Sequence, residues 1–117
     1  TDCLSLAGVA ANGVIVPTPE YSPNDSTKRK VFDFYKKFKA KYNVVPTMVN
    51  ANAYDAIYLI KEAVEKHGYD ALKIASFIRN KQGFDGATGL VNFVNGDVEV
   101  GIVFKIIKGG KPEIYNK

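Results

Sequence analysis

Small polar side chains gather near the N-terminal end of a long apolar segment at residues 47–68. They are Asn50, Asn52, Tyr54 and Asp55. If the segment is a helix, its first backbone N–H groups lack helical partners and, together with the Asn side chains, favour a bound carboxylate. The same side chains also suit helix capping, with Thr47 as one candidate cap and the pair Asn52 and Asp55 as another. The sequence leaves both interpretations open.

The apolar residues of this segment cover more of a helix than one narrow stripe. They are Ala53, Tyr54, Ala56, Ile57, Leu59, Ile60, Ala63 and Val64. Such a helix must be covered on more than one side, most simply by a sheet and a neighbouring helix. We therefore predict that it is the core helix of the chain and that it ends at Gly68.

Patterns typical of catalysis, cofactors or metals are missing from the sequence. His67 and Cys3 are the only residues of their types, which excludes a His/Cys metal cluster. The Gly-rich run at 86–89 lacks the Lys-Ser or Lys-Thr of a phosphate-binding loop. We therefore predict a protein that is not an enzyme and has no cofactor or metal. The alternative, a small α/β enzyme domain, would need Asp55, His67 and a Ser hydroxyl in one cleft.

Composition limits the class of protein further. The 117 residues are 46% hydrophobic, enough for one domain or part of one, and no apolar run approaches the roughly 20 residues of a membrane span. The net charge of +4 comes almost entirely from Lys, since Arg29 and Arg79 are the only arginines, so a nucleic-acid partner is not expected. The chain opens at Thr1 without Met or a signal peptide, from which we expect a mature or truncated product.

The first half of the chain predicts a strand, a loop and a helix. Residues 14–16 form a short apolar run, predicted to be a buried strand, and the prolines that follow predict a loop over 18–24. Tyr21 in this loop either lines a ligand cleft or packs on the body of the domain. The next helix is predicted to be capped by Asp25 or Ser26 and to end at Asn43, with Asp33 and Lys37 paired one turn apart.

The second half predicts a short helix and then strands. Asp70 is the expected cap of a helix over 71–81, and residues 83–89 read as a turn-rich link. A strand over 90–94 leads to the hairpin signal at 95–97, then to a second strand over 98–107 that is apolar on both faces and therefore central. The predicted fold is α/β, with three helices packed on a small mixed sheet and a C-terminal β-hairpin.

Three stretches resemble one protein family. The run AYDAI at 53–57, continuing to Gly68, resembles a helix of the type I periplasmic solute-binding proteins, the branched-chain amino acid binding subunits of ABC transporters. The run FDGATG at 84–89, followed by Phe93 and NGD at 95–97, is similar to a second segment of that family, and residues 6–14 resemble the stretch that enters a late hinge strand. Their order and spacing agree with the family.

The resemblance implies that residues 1–117 are the C-terminal segment of a two-lobe protein and form a partial lobe. Such proteins bind a small amino acid-like solute in the cleft between two closing lobes and deliver it to an ABC transporter permease. It implies a periplasmic or cell-surface location, and hinge movement near residues 14–16 and 98–107. A ligand-sensing receptor or regulatory domain of the same architecture is the alternative.

The same resemblance implies which residues contact the ligand. They are Val49, Asn50 and Asn52, just before and within the start of the core helix, and Tyr21 is added from its place in a loop. Family members often have an aromatic residue at the start of that helix and this chain does not, which points to polar contacts or a different solute. Because a partial lobe would expose a sheet edge, we also predict that the chain by itself pairs with a second copy.

Overall fold

The structure, a computed structural model, describes residues 2–116, which divide into two compact units. One unit joins the segment as far as Glu20 to the segment from Gly101 onward, and the other is Tyr21–Val100. In chain order the elements are α1 (Asp2–Ala7), a 3-10 helix (Gly8–Ala11), β1 (Ile15–Pro19), α2 (Arg29–Tyr42), α3 (Met48–His67), α4 (Ala71–Arg79), β2 (Phe84–Gly86), β3 (Gly89–Val94), β4 (Asp97–Glu99), β5 (Ile102–Lys108) and β6 (Lys111–Ile114).

The α/β class is confirmed, but the sheet is not the single mixed sheet that the sequence predicted. The described strands form two three-stranded antiparallel sheets, in the orders β1-β5-β6 and β2-β3-β4. The predicted strand over 98–107 is broken at Val100 and Gly101, which separate β4 from β5. The helix α1 was not predicted, because its six residues are fewer than the 11 or more that a helical periodicity needs to stand out.

The sheet β1-β5-β6 belongs to the first unit. As predicted, β5 is its central strand, but Ile102 and Phe104 are more than half exposed, so β5 is not covered on both faces within the described residues. β1 extends through Pro17 to Pro19, beyond the predicted end of the strand at residue 16 and into the loop predicted over 18–24. Proline is tolerated there because β1 is an edge strand and needs hydrogen bonds on one side only. The predicted hairpin between β5 and β6 is confirmed.

The helix α2 begins without a side-chain cap. The predicted cap Asp25 instead accepts hydrogen bonds from the backbone N–H and hydroxyl of Thr27, forming a local turn before the helix. The helix ends at Asn43 in the left-handed conformation, as predicted. Asp33 pairs with Lys36 at 3.1 Å rather than with the predicted Lys37.

The long helix α3 has the predicted bounds, with Thr47 as its N-cap and Gly68 at its C-terminal end. Its buried side chains recur every four residues: Ala51, Asp55, Leu59 and Ala63. Other apolar side chains of α3 remain exposed, among them Val49, Ile57 and Ile60. The expectation that α3 is covered on more than one side is therefore not met by the part of the chain that the structure describes.

The shorter helix α4 and the hairpins largely follow the sequence. Asp70 caps α4 by accepting hydrogen bonds from the backbone N–H groups of Leu72 and Lys73. β3 and β4 meet at the predicted hairpin, where Asn95 and Gly96 both have positive φ. The segment predicted as a turn-rich link contains the short strand β2, because Gly83 and Gly89 bracket a stretch that pairs with β3.

An ion-pair cluster joins α3 to the segment after α4 and gives a pH-dependent prediction. The Glu62 carboxylate contacts the Nζ atoms of Lys66 at 2.8 Å and Lys81 at 2.7 Å. Hydrogen bonds from these two lysines lower the pKa of Glu62. Because the folded-state pKa is lowered, the stabilisation is present above the unfolded value of about 4.3 and is lost as the pH falls through the folded value.

We expect Glu62→Gln to reduce the free energy of unfolding by about 0.5 kcal/mol at neutral pH and by much less in acid, measured by urea unfolding. Glu65→Gln is the control, since Glu65 is more exposed and, among the described residues, its carboxylate pairs with one lysine, Lys61. An equal loss for Glu62→Gln at both pH values would show that the charge is not involved.

Candidate functional site

Three of the predicted binding residues lie in the first two turns of α3. The Asn50 side-chain oxygen accepts hydrogen bonds from the backbone N–H and the hydroxyl of Thr47, both at 2.9 Å. Asn50 therefore helps to hold the start of the helix. Val49 is 74% exposed and Asn52 is also exposed. The start of α3 thus presents one apolar and one amide side chain to its surroundings.

Tyr21 is placed differently from these three residues. Its ring packs against the buried cluster of Phe34, Ala51 and Ala87. Its hydroxyl is buried and has no hydrogen-bond partner among the described residues. Burial and, to a smaller extent, the charge of Asp55 raise the pKa of Tyr21, so the hydroxyl stays protonated at neutral pH. The structure thus uses Tyr21 for packing, and its contact with a ligand stays a prediction.

The most constrained polar side chain of the described residues is Asp55, in the middle of α3 and only 5% exposed. One carboxylate oxygen accepts a hydrogen bond from the Ala87 backbone N–H at 2.7 Å. The other accepts from the Thr88 backbone N–H at 2.8 Å and from the Thr88 hydroxyl at 2.6 Å. A buried carboxylate is tolerated when its oxygens are paired in this way. Asp55 therefore fastens α3 to the turn between β2 and β3.

Gly86 explains why this turn is rich in glycine. A Cβ atom at this position would lie 2.5 Å from the carboxyl atoms of Asp55, closer than carbon and oxygen atoms can approach. Gly89, which closes the turn, has a φ of 103°, a conformation that side chains disfavour. The turn is thus shaped to receive the Asp55 carboxylate.

The proposed cap formed by Asn52 and Asp55 is wrong. α3 begins at Thr47, and the Asp55 side chain binds the turn between β2 and β3 rather than its own helix. Two sequence signals point to this contact. Asp55 lies four residues from both Ala51 and Leu59 on the buried side, and the Gly-rich turn offers backbone N–H groups to an acceptor.

An apolar groove of about 490 Å³ runs between α3, α4 and the sheet β2-β3-β4. Its polar lining residues are Asn52, Asp55 and Thr88, and its other lining residues are apolar. Asn52 is the one predicted binding residue that lines it. The volume is within the range of small-molecule sites. The same lining also fits contact with another polypeptide.

The arrangement required by the enzyme alternative is not formed. Asp55 and His67 lie on one helix, about 18 Å apart at its rise of about 1.5 Å per residue. The oxygens of Asp55 are occupied, and the His67 ring faces Phe77 at a centroid distance of 5.5 Å. Within residues 2–116, no cluster of His, Cys, Asp and Glu side chains could hold a metal ion.

No helix within residues 2–116 combines the length and the apolar character needed to cross a membrane.

The sequence pattern of the periplasmic binding protein family matches residues 1–101. The chain belongs to the periplasmic binding protein family. This confirms the resemblance drawn from the segments at 53–57 and 84–89. Asp55 lies in the first of these segments and Ala87 in the second, and the hydrogen bond from the Ala87 N–H to the Asp55 carboxylate joins the two in space. The buried Asp55 carboxylate therefore gives a structural reason for both resembling segments, since one supplies the acid and the other the turn that binds it.

Solved structures of related proteins share the fold. A leucine-binding protein from Thermotoga maritima is 32% identical, with a TM-score of 0.78 over 98% of this chain and 33% of that chain. An ABC transporter substrate-binding protein from Desulfitobacterium hafniense, in complex with Leu, is 30% identical with a TM-score of 0.66 over 92% and 32%. A branched-chain amino acid transporter substrate-binding protein from Streptococcus pneumoniae, in complex with isoleucine, is 22% identical with a TM-score of 0.69 over 90% and 31%.

This chain therefore spans about a third of the length of these relatives. No curated protein matched the sequence.

Proposed function

We propose that this chain is part of an extracytoplasmic solute-binding protein that captures a small solute, an amino acid, for uptake through an ABC transporter. The observation that carries the proposal is the 32% identity to the Thermotoga leucine-binding protein over 98% of this chain. The complexes of two other relatives with Leu and isoleucine support the same ligand class. A permease partner and a periplasmic or cell-surface location belong to the same proposal.

The start of α3 supplies the wall of the binding cleft in this proposal. Val49 is positioned for an aliphatic ligand side chain because it is apolar and exposed, and the Asn52 amide can pair with a polar ligand group. Asn50 fixes the first turn through Thr47, and Tyr21 supports the helix by packing against the cluster of Phe34, Ala51 and Ala87. The isolated chain supplies this wall alone, so we expect it to bind free amino acids only weakly.

Ligand capture by lobe closure requires a hinge. The division between the two compact units falls at Glu20/Tyr21 and at Val100/Gly101. Within the first unit, the Glu20 backbone N–H donates to the Gly101 carbonyl at 2.7 Å, so the two crossing points are side by side. The second point lies within the predicted hinge segment 98–107, whereas the first lies four residues after the other predicted segment, 14–16. We propose that small backbone rotations at the two points accompany closure.

Pairing with a second copy stays a prediction for the isolated chain. The edge strands of the β1-β5-β6 sheet do not favour it, since β1 contains Pro17 and Pro19 and β6 contains Pro112. Static light scattering on the chain alone measures the mass directly. A dimer supports the pairing, and a monomer over the whole accessible concentration range contradicts it.

A chimera tests the proposed function. The part of the Thermotoga leucine-binding protein that matches this chain is replaced by residues 1–117, and cooperative thermal unfolding establishes that the chimera is folded. Calorimetric titration then compares leucine, isoleucine and valine with a sugar. We expect the chimera to bind at least one of the amino acids with micromolar affinity or better, and the isolated chain to bind none tightly. A folded chimera that binds none of the three amino acids would contradict the proposal.

A further inference from the structure

Positive charge is concentrated on one helix of the chain. Seven of the sixteen Lys and Arg residues lie at positions 28–41, together with one of the twelve Asp and Glu residues. This stretch therefore carries a net charge of +6, whereas the rest of the chain carries −2 and lowers the total to +4. The stretch consists of α2 and the residue before it, so the charge excess belongs to a single element.

Four of these basic residues lie on the side of α2 that faces away from the core. At 100° per residue, Arg29, Lys36, Lys37 and Lys39 fall within one sector of about 160°, opposite the two buried side chains of the helix. All four are exposed, and we call them the α2 basic face. The face is about 15 Å long from Arg29 to Lys39, at a rise of about 1.5 Å per residue.

Most of the charge on this face has no acidic partner. Asp33 contacts Lys36 at 3.1 Å. Among the described residues, no carboxylate lies within ion-pair distance of Arg29, Lys37 or Lys39. Neighbouring positive charges that are not paired repel each other, and an anionic surface placed over them would relieve this repulsion.

Aromatic rings hold two of the lysines without cancelling their charge. The Nζ atom of Lys36 lies 5.0 Å from the ring centroid of Phe32, and that of Lys39 lies 5.6 Å from the ring centroid of Tyr35. The two half-buried rings stack on each other with centroids 5.9 Å apart. Because a ring has no net charge, these contacts position the ammonium groups and leave them available to an anion.

A flat anionic surface fits this face better than a nucleic acid does. The face is straight and short, so its four charges can reach one plane at the same time. Three of the four are Lys, which meets phosphate as a point charge, whereas nucleic-acid recognition relies more on the forked Arg side chain. We propose that the α2 basic face docks the protein on a membrane of anionic phospholipids. The proposal rests on the proposed function for one point, the location of the protein beside the membrane that holds its transporter.

Vesicle sedimentation tests the proposal. Residues 1–117 are mixed with vesicles of phosphatidylglycerol and phosphatidylcholine in equal amounts, or of phosphatidylcholine alone. We expect binding to the anionic vesicles to be at least about tenfold stronger at about 0.1 M salt, since each basic residue near such a surface contributes roughly fivefold. The difference should disappear at about 1 M salt, where the Debye length is about 3 Å. Apolar contacts act on both kinds of vesicle, so the ratio isolates the effect of charge.

A triple variant tests the face itself. Arg29→Gln, Lys37→Gln and Lys39→Gln together remove the three charges that lack an acidic partner. We expect this variant to bind the anionic vesicles more than about tenfold more weakly than the unmodified chain. Circular dichroism and urea unfolding check that it remains folded.

The matched control removes the same charge from other elements. Lys61→Gln, Lys73→Gln and Lys111→Gln change three exposed lysines of α3, α4 and β6. This variant should lose less than about threefold, because charges away from the contact are screened by salt. Equal losses for the two triple variants, or equal binding to the two kinds of vesicle, would overturn the proposal.

A nucleic acid is tested as the other anionic partner. Binding to duplex DNA that persists at a salt concentration where vesicle binding is lost would assign the face to nucleic acid and overturn the membrane proposal. Vesicle binding requires no amino acid, so its failure leaves the chimera test of the proposed function untouched.

Discussion

Replacing Asp55 with Ala is expected to lower the free energy of unfolding by about 3 kcal/mol. The change removes hydrogen bonds from the backbone N–H groups of Ala87 and Thr88 and leaves both groups near a new cavity. Asp55→Asn should have an intermediate effect, because one amide oxygen can still accept while the NH₂ group faces a second donor. Urea unfolding followed by circular dichroism measures each loss.

Asp85→Ala is the control for this prediction. Asp85 lies just before the same turn, but its carboxylate is half exposed and pairs with Lys30 at 3.4 Å. Surface pairs of this kind contribute little, so the loss should stay below about 0.5 kcal/mol. Similar losses for Asp55→Ala and Asp85→Ala would show that the buried contact does not hold the turn.

Gly86→Ala is expected to lower the free energy of unfolding by about 2 kcal/mol, since the new methyl group overlaps the Asp55 carboxylate. The neighbouring Ala87 is buried, which limits the room for adjustment. The cause can be isolated with a double-mutant cycle. In the Asp55→Ala background the overlapping atoms are gone, so Gly86→Ala should cost much less there. Additive losses in the double mutant would assign the cost of Gly86→Ala to the backbone instead.

Local signals in the sequence were enough to predict the helices of the second unit. α3 begins after Thr47 and ends at Gly68 as expected, because a cap and a Gly with positive φ act within a few residues of the helix ends. Asp70 caps α4 for the same reason. Asp25 shows the limit of such signals, since a capping residue can equally well bind its own loop, here Thr27.

Contacts between distant segments were harder to predict. Asp55 binds Ala87 and Thr88, which lie more than thirty residues away in the sequence. Its neighbours in the sequence alone suggested a role as a helix cap. The strand predicted over 98–107 failed for a related reason. Its apolar pattern is continuous, but the chain crosses from one compact unit to the other between Val100 and Gly101, and the strand is interrupted there. Hydrophobic periodicity cannot detect such a crossing.

The candidate site was only partly predictable. The position of Val49 and Asn52 at an open helix start follows from the pattern, whereas the packing of Tyr21 against Phe34 depends on how α2 and α3 meet. The apolar sides of α3 were predicted correctly, but the expectation that both are covered presupposed neighbours that the described residues do not supply.

The central claim is that the start of α3 forms a wall of an amino acid-binding cleft, and calorimetry on the Thermotoga chimera tests it most directly. Val49→Asp places a charge at this wall, while Val94→Asp makes the same exchange at a half-exposed position in β3. We predict that the Val49 variant raises the Kd for the bound amino acid more than about tenfold and that the Val94 variant changes it less than about twofold. Equal Kd values for the two variants would contradict the claim.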